Sequence, residues 1–168
     1  MEIISLCYFF LPAAFANMAP VIGKEILKPL AKPIDFGFKY KKEALFGSHK
    51  TWRGLLLASL TGIIIIYIQR LLYSFAFFRD LSVIDYANHP NLLLLGFLLG
   101  FGAIIGDLIK SFFKRRVNIK PGKPWIPYDQ IDYSIGAVLF SWILFPWTLT
   151  QAFIVVATFA LLHIIINH

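Results

Sequence analysis

One cysteine, Cys7, in 168 residues excludes an intramolecular disulfide, so nothing in the chain calls for an oxidising compartment. Charge is scarce as well: only 15% of residues are Asp, Glu, Lys or Arg, which rules out disorder maintained by excess charge. Acids are the scarcer sign, nine against sixteen bases, leaving a formal net charge of +7. Basic residues are missing altogether before Lys24, where the first long apolar stretch carries only Glu2. A secretory leader needs a positive segment there. Although Ala14-Phe15-Ala16 resembles a cleavage site, the stretch is therefore expected to be a retained helix. No internal repeat and no low-complexity tract is present.

What the chain has in quantity is apolar surface: 58% of residues are hydrophobic and the mean hydropathy is +0.71. That is well above a soluble domain and, in a chain this short, indicates one membrane domain over residues 1–168. Five apolar stretches cover about 3–22, 54–72, 92–109, 132–148 and 149–166. With about 20 apolar residues needed to cross the hydrocarbon, the expected fold is all-α and polytopic, with about five transmembrane helices. The last two stretches meet at "FPWTLTQ", where Pro146 is expected to help form a tight turn.

The cations divide sharply between connections. Residues 23–53 hold eight (Lys24, Lys28, Lys32, Lys39, Lys41, Lys42, Lys50 and Arg53), and residues 110–131 hold six (Lys110, Lys114, Arg115, Arg116, Lys120 and Lys123). The positive-inside rule places both segments in the cytoplasm, the N-terminus outside and the C-terminus inside. Orientation and contact with anionic lipid account for many of these lysines.

Three features ask for more. Asp107 ends a stretch without charge that begins at Leu92, and a carboxylate in such a helix is costly and points to function. Asp107, Ser111 and Lys114 fall at i, i+4 and i+7, so an acid, a hydroxyl and an amine share one helix face. The competing reading is a helix-end residue paired with Lys110 or Lys114.

Next, "KPGKPWIPYDQID" (120–132) carries Pro121, Pro124 and Pro127, so it is expected to be extended and stiff. Asp129 and Asp132 follow three apart, on one face of a helix. They read either as helix initiation, with Asp129 as N-cap, or, joined by Asp107, as oxygen ligands for Mg²⁺.

Finally, "FGSHKTWRG" (46–54) sets Ser48, His49, Lys50, Thr51 and Arg53 between two glycines, offering donors to phosphate oxygens without the spacing of a Walker A loop. Within it, His49 reads as a hydrogen-bonding loop residue and Trp52 as an interfacial anchor. Gly96, Gly100, Gly102 and Gly106 form two GxxxG patterns that read as close helix packing, and Asn17 as an interhelical hydrogen-bonding residue.

Together, "GDLIKSFFKRRVNIK" and "IPYDQID" resemble the signature of the phosphatidate cytidylyltransferase superfamily through Gly106, Asp107, Ser111, Lys114, Arg115, Lys120, Pro127, Asp129 and Asp132. "ANMAP" (16–20) and "FGSHKTWRG" look closer still to the archaeal branch, the CDP-archaeol synthases. Three departures stand out: Pro121 replaces the superfamily's Asp after the later lysine, Gln130 replaces the Arg between the final acids, and the His-Gly-Gly element is missing. The shortening suggests a minimal version of the core.

The resemblance implies transfer of CMP from CTP to an isoprenoid ether lipid phosphate in the membrane, 2,3-bis-O-geranylgeranyl-sn-glycerol 1-phosphate, with release of pyrophosphate and no nucleic-acid partner. It implies Mg²⁺ held by Asp107, Asp129 and Asp132, with a second cation left open. Lys114, Arg115 and Lys120 would bind the triphosphate. Ser111 would bind phosphate or contribute a metal ligand, and Ser48, His49, Lys50, Thr51 and Arg53 would complete the anion site. A phosphate monoester is largely a dianion at neutral pH, so no strong general base is required. A CTP-dependent lipid kinase is the nearby alternative, and a small anion transporter the alternative of another class. A transporter should carry ionisable residues deep in several spans, whereas here the interiors show mainly Arg70 near an end.

Overall fold

The computed structural model describes residues 2–40, 43–120 and 122–166; Lys41, Lys42 and Pro121 lie outside the described residues. The order is α1 (Glu2–Ile22), a 3₁₀ turn (Lys28–Leu30), β1 (Lys39–Tyr40), β2 (Glu43–Ala44), α2 (Trp52–Leu72), α3 (Ala76–Asp80), α4 (Leu92–Arg116), α5 (Tyr128–Ser141) and α6 (Leu149–Ile166). The protein is thus mostly helical, and three helices, α1, α2 and α4, are long and apolar enough to cross a membrane. The antiparallel β1–β2 pair and α3 were not expected from the hydropathy pattern.

α4 is the central element, packed against α1, α2 and α5. Its glycines explain how three neighbours fit. Two positions along a helix turn it by about 200°, so Gly100 and Gly102 point to opposite sides. A Cβ on Gly100 would stand 2.5 Å from the Ala58 carbonyl oxygen of α2, and one on Gly102 would stand 2.6 Å from the Gly136 carbonyl oxygen of α5. Gly96 likewise meets Gly62 and Ile66 of α2, while Gly106 lies on the backbone of Asp132 and Gly136. One GxxxG pair therefore serves α2 and the other serves α5, each allowing backbone-to-backbone approach.

The fourth apolar stretch departs from its expected bounds. Helix α5 begins at Tyr128 and ends at Ser141, and residues 142–148 form the turn into α6. At 14 residues it rises only about 21 Å, which falls short of the ~30 Å hydrocarbon core. Pro146 sits in that turn, as expected. The reason lies in side chains as much as in proline. Phe145 and Trp147 fold back onto Phe9 of α1, with ring centroids 4.4 and 5.5 Å away, and the Trp147 Nε1–H donates to Ser141 Oγ at 2.9 Å. Thr148 and Gln151 then exchange hydrogen bonds at 3.2 Å, a capping box that starts α6.

Helix ends gather on one face. The C-terminus of α1 meets the N-terminus of α2 where Pro20 approaches Gly54. The C-terminal part of α4 meets the start of α5 through Lys110 and Asp129, and Tyr133 of α5 lies 6.2 Å from His163 near the end of α6. Lys50, Asp107, Lys110, Lys114, Asp129 and Asp132 come together on this face.

Candidate functional site

The loop from 31 to 51 is shaped by an acid that its sequence context does not advertise. Asp35 is buried and accepts N–H bonds from Gly37 at 3.0 Å, Phe46 at 3.0 Å and Gly47 at 3.4 Å. Gly47, at φ +105°, takes a conformation that side-chain-bearing residues rarely adopt. A short bridge, Ile34 N–H to Lys50 O (2.8 Å) and Trp52 N–H to Lys32 O (3.0 Å), draws the loop's two ends together. Arg116 clamps the hairpin from α4, donating to the Tyr40 carbonyl at 2.8 Å and lying over the rings of Tyr40 and Phe112 at 5.0 and 4.5 Å. Thr51 caps α2 by accepting the Gly54 N–H at 3.2 Å.

Lys50, held at the end of that loop, forms an ion pair with Asp107 of α4. Asp107 also lies 3.0 Å from Lys110. The same Lys110 ammonium stands 2.9 Å from Asp129 and 2.6 Å from Asp132. Lys114 pairs with Asp129 at 3.0 Å and donates to the Lys123 carbonyl at 2.6 Å. Three acids and three lysines thus form one connected network. Asp132 is its most enclosed carboxylate, with 6% of its side chain exposed. Charges this far from water are tolerable only because each has a partner.

The carboxylates do converge at one depth, as expected, but on an ammonium. Among the described residues no group of three or more His, Cys, Asp or Glu side chains is arranged to hold a metal ion. The N-cap reading of Asp129 is corrected: Pro127 occupies that position, and Asp129 sits one residue into the helix, accepting the Trp125 N–H at 2.5 Å. Lys114 pairs with Asp129 and not with Asp107; the partner of Asp107 on its own helix is Lys110.

Two cavities flank the network. One, of about 370 Å³, is lined by His49, Lys50, Lys110, Ser111, Lys114 and Arg115 among others. The other, of about 430 Å³, is lined by Asn17, His49, Lys50, Thr51, Arg53 and Asp107. His49 and Lys50 border both and form the partition between them. A third space, an apolar groove of about 450 Å³ between α4 and α5, runs past Ile109, Phe113, Ile131, Ile135 and Leu139 and ends at Lys110 and Asp132. Most of the expected site residues are therefore brought together.

Ser48 and Lys120 are the exceptions, being exposed and lining neither cavity. Arg115 borders the first cavity while its guanidinium bonds the Ile119 carbonyl, closing the end of α4. Arg53 bonds the Lys24 carbonyl. Lys110 entered the sequence reading only as a partner of Asp107 in the competing helix-end account, a pairing the structure shows, and not as a site residue. Its signal was helical phase: it follows Asp107 by three and precedes Lys114 by four, on the face that carries both.

Residues 1–168 match the family described as CarS-like, CDP-archaeol synthase. A CDP-archaeol synthase of Pyrococcus furiosus is 38% identical over 144 residues, covering 83% of this chain and 75% of that one. One of Methanocaldococcus jannaschii is 36% identical over 140 residues, with the same coverage of each chain. A solved intramembrane enzyme for archaeal membrane lipids biosynthesis superposes with a TM-score of 0.75 at 28% identity, covering 95% of this chain and 90% of that one. The sequence signature and these likenesses agree, and the chain belongs to the CarS-like CDP-archaeol synthase family.

Proposed function

We propose that the chain is a membrane cytidylyltransferase that transfers CMP from CTP to 2,3-bis-O-geranylgeranyl-sn-glycerol 1-phosphate, acting as one catalytic unit over residues 1–168. The observation that carries this reading is the meeting of two unlike compartments at one charged network. A cation-lined cavity suited to a polyphosphate and an apolar groove suited to hydrocarbon share Lys110. Family membership supplies the nucleotide and the lipid.

In the reaction a lipid phosphate oxygen attacks the α-phosphorus of CTP, the α–β phosphoanhydride bond breaks, and pyrophosphate leaves. The nucleophile is already largely a dianion at neutral pH, so the protein's task is to orient two anions and offset their repulsion. Lys50, Lys114 and Arg115 border the first cavity and present donors to phosphate, with the Ser111 hydroxyl between them. His49 and Lys50, on the partition, face both cavities.

The chemistry of the network fits Mg²⁺, because three carboxylates already reach a common cation and oxygen is the ligand that Mg²⁺ takes. Asp107, Asp129 and Asp132 would hold it, and when bound it supplies neutralisation of charge on the reacting phosphates. Five crossings of the cell membrane (α1, α2, α4, the short α5 together with residues 142–148, and α6), with the N-terminus outside and the site facing the cytoplasm, accord with the gathered helix ends and the position of the loop cations.

The test is incubation of purified protein with cytidine-labelled CTP, Mg²⁺ and lipid phosphates bearing ether isoprenoid or ester acyl chains. Mg²⁺-dependent label in the ether lipid, abolished by Asp132→Asn, is the expected outcome. Free CDP with no cytidine on the lipid would indicate a kinase instead. No turnover by folded protein would overturn the cytidylyltransferase reading.

A further inference from the structure

Among the described residues Lys110 is the one cation that reaches all three acids of the network, and it also borders both the polyphosphate cavity and the apolar groove. We infer that Lys110 is the resident counter-cation of the metal-free site: its ammonium holds Asp107, Asp129 and Asp132 together until a divalent cation displaces it, and it then turns on its stem into the cavity to meet the nucleotide's phosphates. The inference rests on the metal-assisted reading above.

Three observations carry it. First, the acids are too enclosed to stand together without a cation. Their side chains are 13%, 18% and 6% exposed, and like charges at this range disfavour one another's ionised forms. Second, the network is balanced, three lysines against three acids, so a dication cannot simply be added. With a dication in place the network carries two uncompensated positive charges. A polyphosphate in the adjoining cavity compensates them, so metal and nucleotide bind as one coupled event. Third, lysine suits an exchange of partners. Its ammonium is a compact charge on a flexible four-carbon stem, unlike the rigid fork of arginine. Because the side chain already borders the cavity, a turn about its own bonds takes the charge from carboxylates to phosphate while the helix stays in place.

Lys110 is on this account a positioning residue whose first action is on metal affinity. The test is calorimetric titration of Mg²⁺ into the purified full chain without nucleotide, comparing wild type with Lys110→Gln and Lys110→Arg. Lys110→Gln should bind Mg²⁺ about tenfold more tightly, the scale of one competing unit charge removed at a few ångströms. Lys110→Arg keeps the charge and should stay near wild type. In wild type, CTP should tighten Mg²⁺ binding, and Lys110→Gln should lose most of that coupling. Equal Mg²⁺ affinity in wild type and Lys110→Gln would overturn the inference while leaving the metal-assisted reading intact. No Mg²⁺ binding by any form, with or without CTP, would overturn both.

A second measurement needs only the wild-type protein, should Lys110→Gln not fold. Acylation of lysine amines followed by peptide mass spectrometry should show Lys110 protected in chelator, exposed on adding Mg²⁺ and protected again on adding CTP. The exposed pair partner Lys28 should stay constant throughout. A Lys110 labelling rate that Mg²⁺ leaves unchanged or lowers would overturn the inference.

Discussion

The Lys110 ammonium lies 2.6 Å from Asp132, the tightest of its three carboxylate contacts and the one to the most enclosed acid. One helix lends the base and the next lends the acid, so the pair ties α4 to α5 where their backbones also touch at Gly106. Asp132→Ala removes the partner and leaves Lys110 in the network with one acid fewer. Breaking an enclosed pair from one side costs about 3 kcal/mol. Thermal unfolding in detergent should show this destabilisation, and cytidine transfer should vanish. Unchanged stability would mean that the pair contributes little to the α4–α5 seam.

Lys50 belongs to the network and to the partition between the two cavities. Lys50→Met keeps the stem and deletes the charge. The expected result is a fall in kcat/KM for CTP of about tenfold or more, an effect of the size found for charge-assisted bonds to phosphate. Steady-state kinetics with the lipid acceptor saturating measures it, and a variant with wild-type kcat/KM would remove Lys50 from the site.

Gly102→Ala sets a methyl group 2.6 Å from the Gly136 carbonyl oxygen, where only backbone could yield. Overpacking of this kind costs about 1–3 kcal/mol. Helices α4 and α5 should be pushed apart, and Lys110 should lose its reach to Asp129 and Asp132. A lowered Tm with impaired metal binding is the expected outcome. Alanine at Gly100, which faces α2, should lower Tm with a smaller effect on the metal.

Ile135 lines the apolar groove and is not part of the charged network. Ile135→Trp fills part of the groove with a large ring. Transfer to the long-chain acceptor should fall severalfold while CTP affinity, measured by calorimetry, stays at its wild-type value. Equal transfer rates would place the lipid chains elsewhere.

Thr51→Ala removes the cap on α2, while Thr51→Ser keeps it. Loss of such a cap costs about 1 kcal/mol. The alanine variant should unfold at a lower temperature than the serine variant, since only serine can still accept the Gly54 N–H.

The apolar stretches, the turn at Pro146 and the acids of the site were all legible because each is a local pattern: an apolar run, a missing donor, a carboxylate where charge is expensive. What the sequence concealed depends on three-dimensional proximity. The shortening of α5 follows from Phe145 and Trp147 finding Phe9, more than 130 residues earlier. The loop fold follows from Asp35 reaching Phe46 and Gly47, and no periodicity marks a capping acid eleven residues from its target. The pairing of Lys110 with Asp107 was legible from their spacing, but its reach to Asp129 and Asp132 was not, because those acids belong to the next helix.

Because α4 meets α2 through Gly96 and Gly100 and meets α5 through Gly102 and Gly106, it is wedged on two sides by main chain, which has no rotamers to change. Rotation would drive a neighbouring backbone into a side chain at once, and sliding by one residue would do the same. The bundle is therefore the immobile part of the machine, and opening and closing around a nucleotide falls to the side chains of the network and to the two loops that overhang it.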